Sequence, residues 1–280
     1  MHMRPQSNTV GALIREWRTA RRLSQLQLAV DADVSTRHLS CLETGRSSPS
    51  REMILRLSNV LDVPLRERNA MLVAGGFAPL YRESSLESGD LKPVRRAVEY
   101  LINQHEPYPA FVMNRYWDVV TMNHSANRLF GLLREGRPGH SNVLLQVLDP
   151  EDLRPYLSNW SEVAAHLMHH LHQDLSSMPT DGRLKALLDM ALEFPDIREC
   201  WRQKPLSPSP DPLLTTCFRK SGMNLRFFSI ISTLGTTNDI TLEELRIESL
   251  FPADDETSSF FAREALHRDT TPNPDGLPWS

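Results

Sequence analysis

Ser24-Gln25-Leu26-Gln27-Leu28-Ala29-Val30-Asp31-Ala32-Asp33-Val34-Ser35-Thr36-Arg37-His38-Leu39-Ser40-Cys41-Leu42-Glu43-Thr44-Gly45-Arg46 is the most informative run in this 280-residue chain. It holds two helix starts and a helix stop. Ser24 and Gln27 have the spacing of a capping box, in which Ser24 accepts from the backbone and Gln27 reaches back to it. Leu28, Ala29 and Ala32 continue one buried face. Ser35 is a second N-cap, Leu39 and Leu42 give the next helix its buried side, and Gly45 can take the left-handed conformation that ends it. Only Asp33-Val34 separate Ala32 from Ser35, so a tight turn sets the two helices at a steep angle, with Val34 plugging into the core beneath.

Helical patterns flank this pair. Val10 to Arg21 puts Val10, Leu13, Ile14 and Trp17 on one face. Ser50-Arg51-Glu52 opens a helix that buries Ile54, Leu57 and Leu61, and a last one follows Pro64 and ends at Gly75-Gly76. Residues 1–76 are thus expected to be an all-α domain. They carry 11 Arg and 7 acidic residues, a charge of +4, whereas the remaining chain carries −8. A basic head on an acidic body fits a head that meets phosphate. In such a helix pair the leading end of the second helix can enter a major groove. Thr36, Arg37, Ser40 and Cys41 lie on its outward face, and Arg37 can donate a bidentate pair to guanine, worth about 1–3 kcal/mol of discrimination. Ser35 and Arg46 flank that helix as phosphate contacts. Arg15, Arg18, Arg21 and Arg22 are further backbone candidates or a solvated basic face.

The run from Gln25 to Ala29, then Val34-Ser35, then Leu39 to Arg46, resembles the lambda-repressor-like, XRE-type helix-turn-helix. The resemblance adds Gln25 as a DNA-backbone contact. Asp33 stands where that family usually has Gly in the turn, and Asp tolerates a left-handed backbone better than most residues. The expected partner is double-stranded DNA, and one small head makes a modest interface, so a homodimer on two half-sites is expected.

Residues 77–105 read as a linker rich in Ser, Pro and Gly followed by a connecting helix from Val94 to Gln104. From Ala110 the period shortens. Phe111-Val112-Met113 and Trp117 to Met122 read as strands around an Asn114-Arg115-Tyr116 turn. Helices are expected near 124–133, 158–175 and 182–194, a Pro- and Ser-rich break from Pro205 to Pro212, and strands over Leu214–Phe218, Leu225–Leu234 and Leu242–Phe251. Residues 106–268 are thus expected to be an α+β domain, an antiparallel sheet with flanking helices, and 269–280 a disordered tail. Such a sheet makes an apolar pocket. Its candidate wall is Phe111, Met113, Trp117, Met122, Leu129, Phe130, Leu144, Leu148, Trp160, Leu167, Met168 and Leu171, each of which also reads as plain core.

His166 and His170 have the i,i+4 spacing that can share a metal, but no acidic residue lies inside the pair. The helix that carries them, with His169 and His172, reads as having a polar face, and no metal site is expected. No phosphate loop, GxSxG or HExxH occurs, so an enzyme is not expected, nor a required cofactor. Cys41, Cys200 and Cys217 form no framework and read as free thiols. No stretch approaches the roughly 20 apolar residues that span a bilayer, and Met1 to Pro5 begins no signal-peptide core. The expectation is a cytoplasmic protein that does not engage membranes.

Val112-Met113-Asn114, Trp117-Asp118-Val119, Asn123-His124-Ser125-Ala126-Asn127, Asn142-Val143-Leu144 and Trp160 resemble the ligand-binding half of MmyB-like transcription regulators. Asp62 to Asn69 is similar to the end of their DNA-binding head. The resemblance implies a PAS-like domain of five strands that holds a fatty-acid-like molecule, a myristate-like acyl chain. It makes the chain a ligand-sensing DNA-binding regulator, or else one whose second domain serves only dimerisation or partner binding. Several members carry Arg where this chain has His172. Candidates for anchoring a carboxylate are Asn123, Arg128, His170, His172 and Arg226.

Overall fold

The computed structural model describes residues 9–178, 181–202, 213–235 and 237–268. The chain falls into two compact units, residues 1–84 with 236–243, and residues 85–235 with 244–280. The expected division placed 236–243 with the sheet. Packing groups them with the helical head. The expected tail and the Pro205–Pro212 break lie outside the described residues.

The first unit contains α1 (Val10–Ala20), α2 (Gln25–Asp31), α3 (Thr36–Glu43), α4 (Arg51–Val60), α5 (Leu65–Ala74) and, from far along the chain, α12 (Ile240–Glu243). Caps set the starts of the first four helices. Thr9, Ser24, Ser35 and Ser50 each accept a backbone N–H of the first turn, and Ser24 and Gln27 form the expected capping box. Ile14, Trp17, Leu28, Leu39, Leu42 and Leu57 are sealed from solvent, each contributing about 1.5–3 kcal/mol by burial. Asp33 has φ 53° and Gly45 φ 71°, so both take the left-handed backbone the sequence required of them. Val34 is only half-buried. At Gly11 a Cβ would lie 2.1 Å from the Leu42 carbonyl oxygen, so α1 meets the end of α3 backbone to backbone.

The second unit is built on a five-stranded antiparallel sheet in the order β2-β1-β5-β4-β3. Its strands are β1 (Ala110–Met113), β2 (Val119–Met122), β3 (Thr216–Lys220), β4 (Met223–Thr233) and β5 (Arg246–Pro252). The helices are α6 (Lys92–Gln104), α7 (His124–Arg134), α8 (Val143–Leu148), α9 (Trp160–Ser177), α10 (Gly182–Ala191), α11 (Ile197–Arg202) and α13 (Asp255–Arg268). The expected fold class, an all-α head followed by an α+β domain with an antiparallel sheet, stands.

Several boundaries moved for local reasons. Trp117 takes φ 69°, so the second strand starts at Val119 rather than at the tryptophan. The hairpin between β3 and β4 turns on Ser221 and Gly222, both with positive φ, a two-residue turn that matches strand twist and shifts β3 toward Lys220. The expected strand from Leu242 begins only at Arg246, because Asp239 accepts from the Thr241 N–H at 3.0 Å and starts a helical turn. The helices α8, α11 and α13 were not anticipated. Asn142 starts α8 by accepting from the Leu144 and Leu145 N–H groups.

Register defines the face of the sheet under α7 and α9. Met113 pairs with Arg246, and Phe111 with Glu248, so these four side chains share one face. Phe111 meets the Phe130 ring of α7 edge-on at 6.1 Å. Arg246 donates to both oxygens of Asp174 on α9, at 2.8 and 2.7 Å.

Candidate functional site

In the first unit the expected recognition surface lies on α3. Arg37 and Arg46 are exposed, whereas Thr36, Ser40 and Cys41 are half-buried. Ser35 accepts from the His38 N–H at 3.1 Å, which leaves its hydroxyl hydrogen free to donate. The Arg46 N–H donates to the Cys41 carbonyl at 2.8 Å and fixes the turn that ends the helix.

A buried ion pair locks this surface from behind. Arg18 donates to both oxygens of Glu43 at 2.6 and 2.9 Å and to the Leu23 carbonyl at 2.8 Å. The amide of Gln25, expected at the DNA backbone, donates to Glu43 at 2.8 Å. Burial pushes the Glu43 carboxyl up, but the hydrogen bonds from Arg18 and Gln25 outweigh it and hold the group below the ordinary carboxylate range. Arg21 donates to the Leu61 and Asp62 carbonyls. Of the four arginines proposed as further backbone contacts, Arg18 and Arg21 therefore hold the head together, and Arg15 and Arg22 stand exposed.

In the second unit the expected wall residues are mostly sealed core. Phe111, Met113, Trp117, Leu129, Phe130, Leu144, Leu148, Met168 and Leu171 are buried, and Met122, Trp160 and Leu167 are half-buried. Contacts join some of them. Phe111 meets Phe130, the Trp117 indole donates to Asp174 at 3.2 Å, and the Trp160 indole donates to the Val147 carbonyl at 2.9 Å.

The anchor candidates scatter. Asn123 caps α7, accepts from the Ala110 N–H and donates to the Ile102 and Tyr108 carbonyls, which uses its whole amide structurally. Arg128 is exposed on α7. Arg226 sits beside Cys217 on β4. His170 and His166 approach to 3.1 Å between their Nε2 atoms, and His172 stacks on Trp201 at 4.0 Å. Burial holds His170 and His172 below the usual imidazole range, which favours their neutral forms.

One titratable group escaped the sequence reading. Glu248 lies on the α7–α9 side of β5, opposite Phe111 and Ile231. Burial pushes its carboxyl up, partly offset by a hydrogen bond with Ser229. The available signal was its place two positions from Leu250 in a strand whose register sets it opposite Phe111 and Ile231.

A cavity of about 220 Å³ opens elsewhere, among Tyr116, Asp118, His140, Asn142, Leu145 and Arg183. None of the expected wall residues lines it. Asp118 and Arg183 pair at 2.6 Å on its rim, and Arg183 also covers the Tyr116 ring at 3.9 Å, so its two opposite charges answer each other.

Comparison with known proteins agrees with this two-part layout. Residues 14–68 match the helix-turn-helix family, and residues 94–263 match the MmyB-like transcription regulator ligand binding domain. No curated protein matches the chain. Among solved structures, an RNA-binding Light-Oxygen-Voltage receptor aligns with 94% of this chain at 13% identity and a TM-score of 0.26. The alignment spans 65% of that receptor's length.

Proposed function

The chain belongs to the MmyB-like transcription regulators, and from that premise we propose that it is a sequence-specific DNA-binding regulator whose sheet domain takes up a long-chain fatty acid and changes DNA binding in response. One chain joins a helix-turn-helix to a ligand-binding domain, and that pairing carries the reading. Thr36, Arg37, Ser40 and Cys41 read bases, Ser35 and Arg46 hold phosphate, and Gln25, whose amide donates to Glu43, braces the surface from behind. A homodimer places two such heads on two half-sites. An acyl chain suits the apolar residues of the sheet domain, because each methylene removed from water contributes about 0.8 kcal/mol.

A second reading keeps the DNA-binding head and makes the sheet domain a dimerisation module without ligand. The near-complete burial of Phe111, Met113, Leu144 and Leu148 favours it, since those side chains already have protein partners. Solvent extraction of the purified protein followed by mass spectrometry, then titration of DNA with and without myristate, separates the two. Coupled binding requires the same factor in both directions. Absence of extracted lipid together with unchanged DNA affinity leaves only the dimerisation module.

A further inference from the structure

The last helix of the head lacks its own cap. Pro64 stands at the N-cap of α5 and offers no side-chain acceptor. The first helical N–H, that of Leu65, donates instead to Glu243 at 2.8 Å, 178 positions later in the sequence. A carboxylate there also answers the positive end of the helix dipole.

Glu243 is held in place by its own segment. The Ser84 N–H donates to Asp239 at 3.2 Å, the Ile240 N–H to the Arg82 carbonyl at 2.9 Å, and the Thr241 hydroxyl to the Ser84 carbonyl at 2.7 Å. Ile240 is buried. All of these contacts lie within the first unit.

The same segment is the connection between β4 and β5, the two strands with the longest shared ladder. Immediately after Glu243 the chain passes to the second unit. There Glu244 accepts from Arg115 at 2.8 Å, and the buried Arg115 also binds Asp181, the N-cap of α10. Two residues on, Arg246 grips Asp174 of α9. Four consecutive residues therefore join the start of α5, the β1–β2 turn with α10, and α9.

We propose that the β4–β5 connector is the coupling element of this regulator. A shift of α9 or of the start of β5 pulls on Glu243 and releases the start of α5, so the state of the sheet domain is read in the head. The mutational part of this inference stands without any ligand, and the ligand-driven part rests on the function proposed above.

Hydrogen exchange on the full chain tests it, read on peptides covering Leu65 to Asn69. Arg246→Gln, which alters an ion pair with Asp174 and a ring contact with Trp117, both inside the second unit, is expected to raise exchange there several-fold. The rise is expected to vanish when Glu243→Ala is already present, and peptides of α2 and α3 should not change. Glu244→Gln serves the same purpose if Arg246→Gln disturbs the sheet, and Thr241→Val replaces Glu243→Ala if that variant unfolds. Exchange at α5 that ignores both second-unit variants, or that adds independently to Glu243→Ala, overturns the coupling. Sodium myristate is the ligand probe. If it changes nothing in any variant while the mutational coupling persists, the fatty-acid reading fails and the connector stands.

Discussion

Arg37 and Arg46 both face solvent, and the proposed function gives them different tasks. Arg37→Ala should relax base preference at one position by about 1–3 kcal/mol, whereas Arg46→Ala should weaken all sequences together and flatten the salt dependence. Selection of DNA fragments followed by anisotropy titration distinguishes the two. Glu43 and Glu248 should respond to pH in opposite senses. Glu43 is held low in the folded state, so its contribution is complete above about pH 4.3, the unfolded value, and is lost as pH falls through the folded one. Glu248 is held high, so the folded state keeps its proton longer than the unfolded chain does, and stability falls as pH rises through that interval. Urea unfolding against pH should therefore show Glu43→Gln flattening the acid limb and Glu248→Gln gaining stability toward neutral pH. Gly11→Ala is expected to cost about 1–3 kcal/mol despite the better helix propensity of alanine, because the added methyl meets a backbone carbonyl that has nowhere to go.

Helix starts are where the chain is most legible. Ser24, Ser35 and Ser50 each cap the helix that the sequence assigned to them, since capping is a contact over three residues and needs no tertiary partner. With seven residues, α2 is too short to persist by propensity, so Ser24→Ala should cost about 1 kcal/mol of head stability, measured by urea unfolding. The sheet was less legible. The strands over 225–234 and 111–113 followed from their apolar runs, but the start of β5 did not. Leu242 continues an apolar pattern in sequence, and only the capping by Asp239 makes that stretch helical. α5 is the opposite case from α2, because its cap arrives from the β4–β5 connector.

Over the whole molecule, a dimer would place two recognition helices on half-sites about 34 Å apart or a multiple of that, one turn of duplex. Footprinting of a selected fragment should show two protected half-sites at that spacing, with cooperative loss when one is scrambled. The amino-acid sequence by itself determined the five helices of the head, the left-handed turn at Asp33 and the strand-rich character of the second domain. Those features rest on caps, turn residues and hydrophobic period, all of which act between near neighbours. The tertiary structure alone decided that Arg18, Arg21 and Gln25 bind inside the head, that the Asn123 amide donates to the Ile102 carbonyl, that Glu248 is half-buried opposite Phe111, and that residues 236–243 pack with the head rather than with the sheet. Each of these depends on a partner 18 or more positions away, or on burial among elements distant in sequence. A charged side chain reads the same in sequence whether it meets water, phosphate or a carboxylate. Only the folded chain selects among them, by bringing one partner close and excluding the others.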